Sequence, residues 1–212
     1  MSSTMAAERL VAALLAVPLL MAGAPVAASD CVPARAGWDR AATELTIAKE
    51  GGETVLRVEG RIDPDLAARL RAMFADHPQI SALHFNSAGG DVASALAAGK
   101  VVRSQGLLVA EVPAGWGCTG ACALLFLSGR VRSVDPAGVF DLGRFYETGD
   151  GSAPGVARQS LEISDYLIRM GVSRRLLNGV LDREAAESAG KPVRHCLTPD
   201  ELRAYNVANW NE

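Results

Sequence analysis

Between Leu83 and Tyr146 the chain twice leaves a short apolar strand, crosses a glycine turn and enters a helix. The first passage is Leu83-His84-Phe85 followed by Asn86-Ser87-Ala88-Gly89-Gly90. The second is Gly117-Cys118-Thr119-Gly120-Ala121-Cys122, which opens the apolar run Ala123-Leu124-Leu125-Phe126-Leu127. Such junctions aim backbone N–H groups at an anion or an oxyanion. They also constrain topology, because strands that alternate with helices close into parallel β-α-β units.

The flanking segments fit that scheme. Glu44–Ala48 and Thr54–Val58 alternate apolar with polar residues around Gly51-Gly52, which predicts a β-hairpin. Asp63-Pro64 reads as the N-cap and first position of a helix whose apolar face carries Leu66, Leu70, Met73 and Phe74. Asp91 reads as the N-cap of a helix to Gln105, and Leu107–Val112 as a buried strand. The run from Ala121 to Leu127 has no polar face, so it belongs at the centre of the fold. Strands are expected at Val131–Val134 and Val139–Leu142, and a polar, glycine-rich surface loop from Glu147 to Pro154. A helix follows from Val156 to Met170, then a short one carrying Leu176, Leu177 and Val180 that Ser173 caps. Thr198-Pro199-Asp200-Glu201 has the form of a capping box that opens the last helix.

Residues 1–28 read as a secretory signal: an apolar stretch from Leu10 to Ala22, then small residues ending in Val26-Ala27-Ala28. The mature chain is then one domain, residues 29–212, exported to the periplasm or the cell exterior, with no membrane span after cleavage. Export permits disulfides, and Cys31, Cys118, Cys122 and Cys196 make an even set with three connectivities. A local Cys118–Cys122 bridge would leave Cys31 with Cys196. Alternatively, Cys118 and Cys122 are small buried residues one helical turn apart. A net charge of −3 without a basic block argues against nucleic-acid partners. No Cys-x-x-Cys or His-x3-His spacing points to a metal.

The order of these motifs resembles the Clp protease and crotonase superfamily, and most closely its exported bacterial Clp-like members. Their glycine turn reads Asn-Ser-Pro-Gly-Gly, here Asn86-Ser87-Ala88-Gly89-Gly90. Their nucleophile segment reads Cys-x-Ser-Ala-Cys, here Cys118-Thr119-Gly120-Ala121-Cys122. Tyr166-Leu167-Ile168-Arg169-Met170-Gly171 and Leu197-Thr198-Pro199-Asp200-Glu201-Leu202 are similar to two further family stretches. The resemblance spans about Val55 to Val207. It implies an α/β fold with a β-α-β superhelical core, an N-terminal hairpin and C-terminal helices, and self-association into a homo-oligomer.

The resemblance also locates a catalytic triad, and this chain departs from it at each position. The family serine falls on Gly120, the histidine on Gly143 and the acid near Arg194. Serine hydrolysis needs a hydroxyl, a base in reach of it and a group to orient that base. Two glycines and an arginine supply none of these. What remains is an oxyanion-hole-like set of N–H groups at Gly89, Gly90 and Ala121. The reading is a catalytically inactive relative of serine peptidases that binds a peptide, a small acyl ligand or a Clp-like partner subunit, with no cofactor. The alternatives are an active hydrolase with a non-family nucleophile such as Thr119, and a structural subunit of a Clp-like assembly. Asp141 and Asp91 are candidate bases, and Trp116 is the aromatic expected to cover the cleft.

Overall fold

Alternation in the N-terminal segments sets the first sheet edge. Residues 31–143, 153–191, 193 and 195–210 are described in the computed structural model. The expected signal, Arg194 and most of the expected 147–154 loop lie outside them. β1 (Glu44–Glu50) and β2 (Glu53–Glu59) form the expected antiparallel hairpin. β3 (Ala82–Asn86), β4 (Val109–Val112) and β6 (Val131–Val134) add in parallel, in the order β1-β2-β3-β4-β6. A second, two-stranded parallel sheet pairs β5 (Gly117–Thr119) with β7 (Val139–Asp141). The α/β class and the parallel core agree with the sequence expectation. β5 is not expected from the sequence, because three residues carry no periodicity.

Helices cover one face of the large sheet. α1 (Leu66–Asp76) and α2 (Val92–Ser104) pack beside each other. α3 (Ala121–Phe126) is buried on every side. Its Phe126 ring meets Phe85 of β3 and Phe140 of β7 with centroids 6.0 and 5.0 Å away. Burying each such apolar side chain contributes about 1.5–3 kcal/mol. α4 (Ala153–Arg169), α5 (Arg175–Ser188) and α6 (Pro199–Ala204) complete the chain. The Tyr166 hydroxyl donates to Leu124 O at 2.9 Å, tying α4 to α3. The Thr198–Glu201 capping box is present, with proline at the helix start.

One expected cap is displaced. The α1 N-cap is Asp65, without a side-chain cap bond, and not Asp63. The Asp63 carboxylate is held instead by Arg69 Nη2, at 2.6 and 2.7 Å, and by Thr43 N at 3.0 Å. A charge-assisted pair outweighs a single cap bond.

Arg132 is 1% exposed, and among the described residues no carboxylate pairs with it. Its guanidinium donates to Val207 O, Gly129 O and Asn206 O at 2.8 Å, and to Leu127 O and Met170 O at 3.4 Å. These carbonyls lie at or just past the C-terminal ends of α3, α4 and α6, where unpaired backbone oxygens carry partial negative charge. Burial pushes the Arg132 pKa down to about 10, still charged at neutral pH. One side chain thus gathers three helix ends behind the sheet.

Of the pairings left open by the sequence, Cys31–Cys196 and Cys118–Cys122 are formed. The first ties the N-terminal segment to the stretch that leads into α6, across 165 residues.

Candidate functional site

The site lies beyond the C-terminal end of β3, where two chain segments meet. Asn86 is fully buried, and its Oδ1 accepts from Gly117 N at 3.3 Å, which positions the start of β5. Ser87 N donates to Gly117 O at 2.7 Å, and Thr119 N to Ser87 O at 3.0 Å. The glycine turn is therefore stitched directly to the strand that precedes α3.

Glycine is required at Gly89 and Gly90 for stated reasons. Gly89 has φ +95°, and a Cβ there would lie 3.0 Å from Thr119 O and 3.1 Å from Ala121 N. Gly90 has φ +137°, and a Cβ would sit 2.3 Å from Ile62 O. Asp91 N donates to that same Ile62 oxygen, and the Asp91 side chain accepts from Ser94 N at 2.7 Å. Asp91 is thus a helix cap, which accounts for its carboxylate without a catalytic role.

Gly120 follows β5 with φ 56° and ψ −125°, and α3 begins at the next residue. This is a sharp strand-to-helix turn at the position where a nucleophile elbow would present its side chain. A side chain would be strained there, and glycine is not. Gly120 N donates to Asp141 O at 3.0 Å. A Cβ on Gly120 would meet only Gly89 Cα at 3.7 Å and Ala88 O at 4.0 Å. The Cys118–Cys122 disulfide brackets the elbow, both cysteines fully buried, with their Cα atoms 5.3 Å apart. Gly143 has φ +63°, and its Cβ position points straight at the Gly120 backbone.

The remaining candidates sort by their partners. Gly89 N donates to Ser87 Oγ at 3.2 Å, which leaves Gly90 and Ala121 as donors engaged in no hydrogen bond among the described residues. Ser87 is fully buried and its hydroxyl serves the turn, so it does not face a ligand. Thr119 is half-buried and stands opposite Asp141 in the β5–β7 register. Burial pushes the Asp141 carboxyl up, opposed by the Gly143 N–H and by the charges of His195 and Arg183. Among the described residues no histidine hydrogen-bonds Thr119 or Ser87. His84 lies 3.1 Å from Glu111, His195 lies 3.7 Å from Glu187, and His77 ends α1.

Trp116 packs against Arg35 and His84 rather than on the Gly120 elbow. Its ring lies under the Arg35 guanidinium at 4.2 Å, with the His84 ring edge-on at 6.0 Å, and no Trp116 atom comes within 4 Å of a Cβ built on Gly120. The Arg35–Glu59 pair draws it to the sheet, a long-range contact with no local sequence signal. Two contributors escaped sequence reasoning: the Asp141 carbonyl that fixes Gly120, and the Ser87 hydroxyl inside the turn. The Asn-Ser motif before the glycines was the available signal for the second. Among the described residues no group of His, Cys, Asp and Glu side chains is arranged to hold a metal ion. No helix among them is long and apolar enough to cross a membrane.

No protein-family model matches the chain, and no curated protein matches it. Solved structures do. ClpP1 from Listeria monocytogenes superposes with a TM-score of 0.52 at 13% identity, over 73% of this chain and 88% of that one. A variant of the 1510-N membrane-bound stomatin-specific protease gives 0.49 at 15% identity, over 73% and 75%. A protein described as an enoyl-CoA hydratase/isomerase from Acinetobacter baumannii gives 0.45 at 11%, over 78% and 72%. The chain has a ClpP-like α/β fold.

Proposed function

We propose that this protein of ClpP-like fold is an exported, catalytically inactive relative of the serine peptidases that binds an extended peptide or acyl group at its glycine-lined cleft. The observation that carries the reading is Gly120: the elbow is kept, with φ 56° and ψ −125°, and the side chain that would act from it is absent. Gly143, where the resemblance calls for histidine, carries no base. Loss of both removes nucleophile and base together. The Gly90 and Ala121 N–H groups remain able to receive a ligand carbonyl. Two disulfides support an oxidising compartment and hence export.

A second reading has one observation behind it. Thr119 and Asp141 are register partners, so a hydroxyl and a half-buried carboxyl share one side of the small sheet. No hydrogen bond joins them among the described residues, and that favours the inactive reading.

The test is binding of a fluorescently labelled peptide pool to the disulfide-intact protein, against Gly89→Val. The new Cβ at Gly89 would stand 3.1 Å from Ala121 N and screen that donor. Saturable binding without cleavage, lost in a Gly89→Val protein whose circular dichroism is unchanged, supports the reading. Cleavage of the pool supports Thr119 chemistry. Binding that Gly89→Val leaves untouched moves the ligand elsewhere. No binding, with recovery of an active Clp-like hydrolase on pull-down, supports a structural subunit.

A further inference from the structure

The large sheet has a second face, bordered at one end by α6, and it is chemically organised. Register places Arg57, His84, Glu111 and Ser133 side by side across β2, β3, β4 and β6. The next row, Val55, Ala82, Val109 and Val131, is small and apolar. This face holds a cavity of about 580 Å³, whose floor includes Val55, Val109 and Val131. That volume is in the range of small-ligand sites. Two exposed apolar side chains line it as well, Leu107 at 78% and Trp210 at 55% exposure. The Trp210 backbone is fixed by a 3.1 Å bond from its N–H to Arg132 O. Leu107 and the Val rows lie toward the N-terminal ends of the strands, whereas the glycine turns follow the C-terminal end of β3.

Three carboxylates line the cavity, Glu50, Glu53 and Glu111, and no lysine or arginine does. Arg57, outside the lining, holds Glu50 Oε1 from Nε at 2.7 Å. Ser81 Oγ reaches Glu53 at 3.4 Å. His84 is 8% exposed, with Nε2 3.1 Å from Glu111 and Nδ1 3.2 Å from Glu50 Oε2. The Nδ1 contact is off the hydrogen-bonding line, so this buried nitrogen has no hydrogen-bond partner. A buried polar atom left in that state calls for a hydrogen-bond partner from outside the chain. Glu111, Ser133 and Trp210 also line an adjoining cavity of about 360 Å³.

We infer that this groove is a second binding site, which takes an organic cation: an ammonium group seated among Glu50, Glu111 and His84, with its apolar body on the valine floor against Trp210. An ammonium supplies donors to carboxylates that the protein pairs incompletely. The valine row and the tryptophan supply area for hydrocarbon. Among the described residues no group of His, Cys, Asp and Glu side chains is arranged to hold a metal ion, whereas an ammonium needs only hydrogen-bond acceptors within reach. The ammonium comes either from a free amine or from a lysine side chain in a peptide, and the two sources share this chemistry.

The experiment titrates the disulfide-intact protein with phenethylamine, with the neutral isostere 2-phenylethanol and with the capped peptide acetyl-Leu-Lys-Leu-amide, read by calorimetry and by the Trp210 indole N–H resonance. The expected result is saturable binding of a cationic probe that shifts Trp210. The alcohol binds about tenfold more weakly, the size of one charge-assisted hydrogen bond. Glu111→Gln lowers cation affinity by a similar factor. Trp210→Ala, at an exposed position that leaves the fold intact, lowers it as well. Tighter binding of phenethylamine assigns a free amine, and tighter binding of the peptide assigns a lysine side chain. Equal affinity for alcohol and amine overturns the proposal, as does cation affinity unmoved in both variants. So does failure of both cationic probes to saturate.

Discussion

Gly143 stands against Gly120 so closely that a Cβ on Gly143 would lie 3.1 Å from Gly120 Cα and 3.2 Å from Gly120 N. The positions that the family resemblance assigns to histidine and serine are thus in backbone contact, and each has positive φ. Restoring the pair is therefore asymmetric. Gly120→Ser meets only ordinary contacts and costs about 1–3 kcal/mol for its backbone conformation. Gly143→His adds a tight approach to the Gly120 backbone to the same strain and costs about 3 kcal/mol or more. Urea denaturation of the two single variants checks the order. The double variant is expected to gain no reaction with a fluorophosphonate probe, because the histidine crowds the elbow backbone that it must serve and both positions hold a left-handed backbone.

Arg132 is expected to be among the least replaceable side chains. Arg132→Leu leaves five backbone carbonyls of three helix ends without their donor, and Arg132→Lys offers one ammonium where a planar fork is used. Leaving several buried acceptors unpaired costs about 1–3 kcal/mol each at first loss. Both variants should unfold at markedly lower urea concentration, or fail to accumulate folded. A Lys variant as stable as the parent would contradict this assignment.

How much of this was legible beforehand depended on range. The all-apolar run at Ala121–Phe126 announced a central helix because no other environment suits it. The Thr198 capping box and the Gly51-Gly52 hairpin are local devices and were read with their residues. Arg132 was not legible as a buried cation. In Val131-Arg132-Ser133-Val134 the alternation fits either face, and the partners that decide lie up to 75 residues away. Trp116 was assigned to the wrong neighbourhood for the same reason, since Arg35 and His84 are distant in the chain. The groove was hidden because each strand contributes only one or two of its residues.

The long disulfide should matter more to stability than the short one. Closing 165 residues restrains the unfolded chain by about 5 kcal/mol in the chain-entropy model. Cys31→Ser with Cys196→Ser should lower Tm by more than any single surface substitution, measured calorimetrically at fixed scan rate. Cys118→Ala with Cys122→Ala opens only a short loop, and its effect should fall on the elbow instead. Peptide binding at the cleft should weaken, with a smaller change in Tm.

Acid should unfold the protein through identified carboxylates. Burial pushes the Glu59 carboxyl up, and hydrogen bonds from Arg35 and Asn86 more than reverse it. Asp63 is likewise lowered, burial being outweighed by Arg69 and Thr43, and His84 lowers Glu111 against its burial. Groups lowered in the fold contribute stability that is present above their unfolded values, near pH 4, and lost as pH falls through the folded ones. Tm should therefore fall between about pH 5 and pH 2. Glu59→Gln should lower Tm at pH 7 and flatten that acid limb, and an unchanged limb would remove Glu59 from the account. Asp141 works in the opposite sense, because burial raises it.

The central claim is that the elbow is present and the chemistry is not. The most direct measurement is reaction of the disulfide-intact protein with a fluorophosphonate probe, followed by intact mass and peptide mapping. The account predicts no stoichiometric adduct and no peptidase or esterase turnover above the uncatalysed rate. A stoichiometric adduct on Thr119 or Ser87, with turnover that the adduct abolishes, would contradict it.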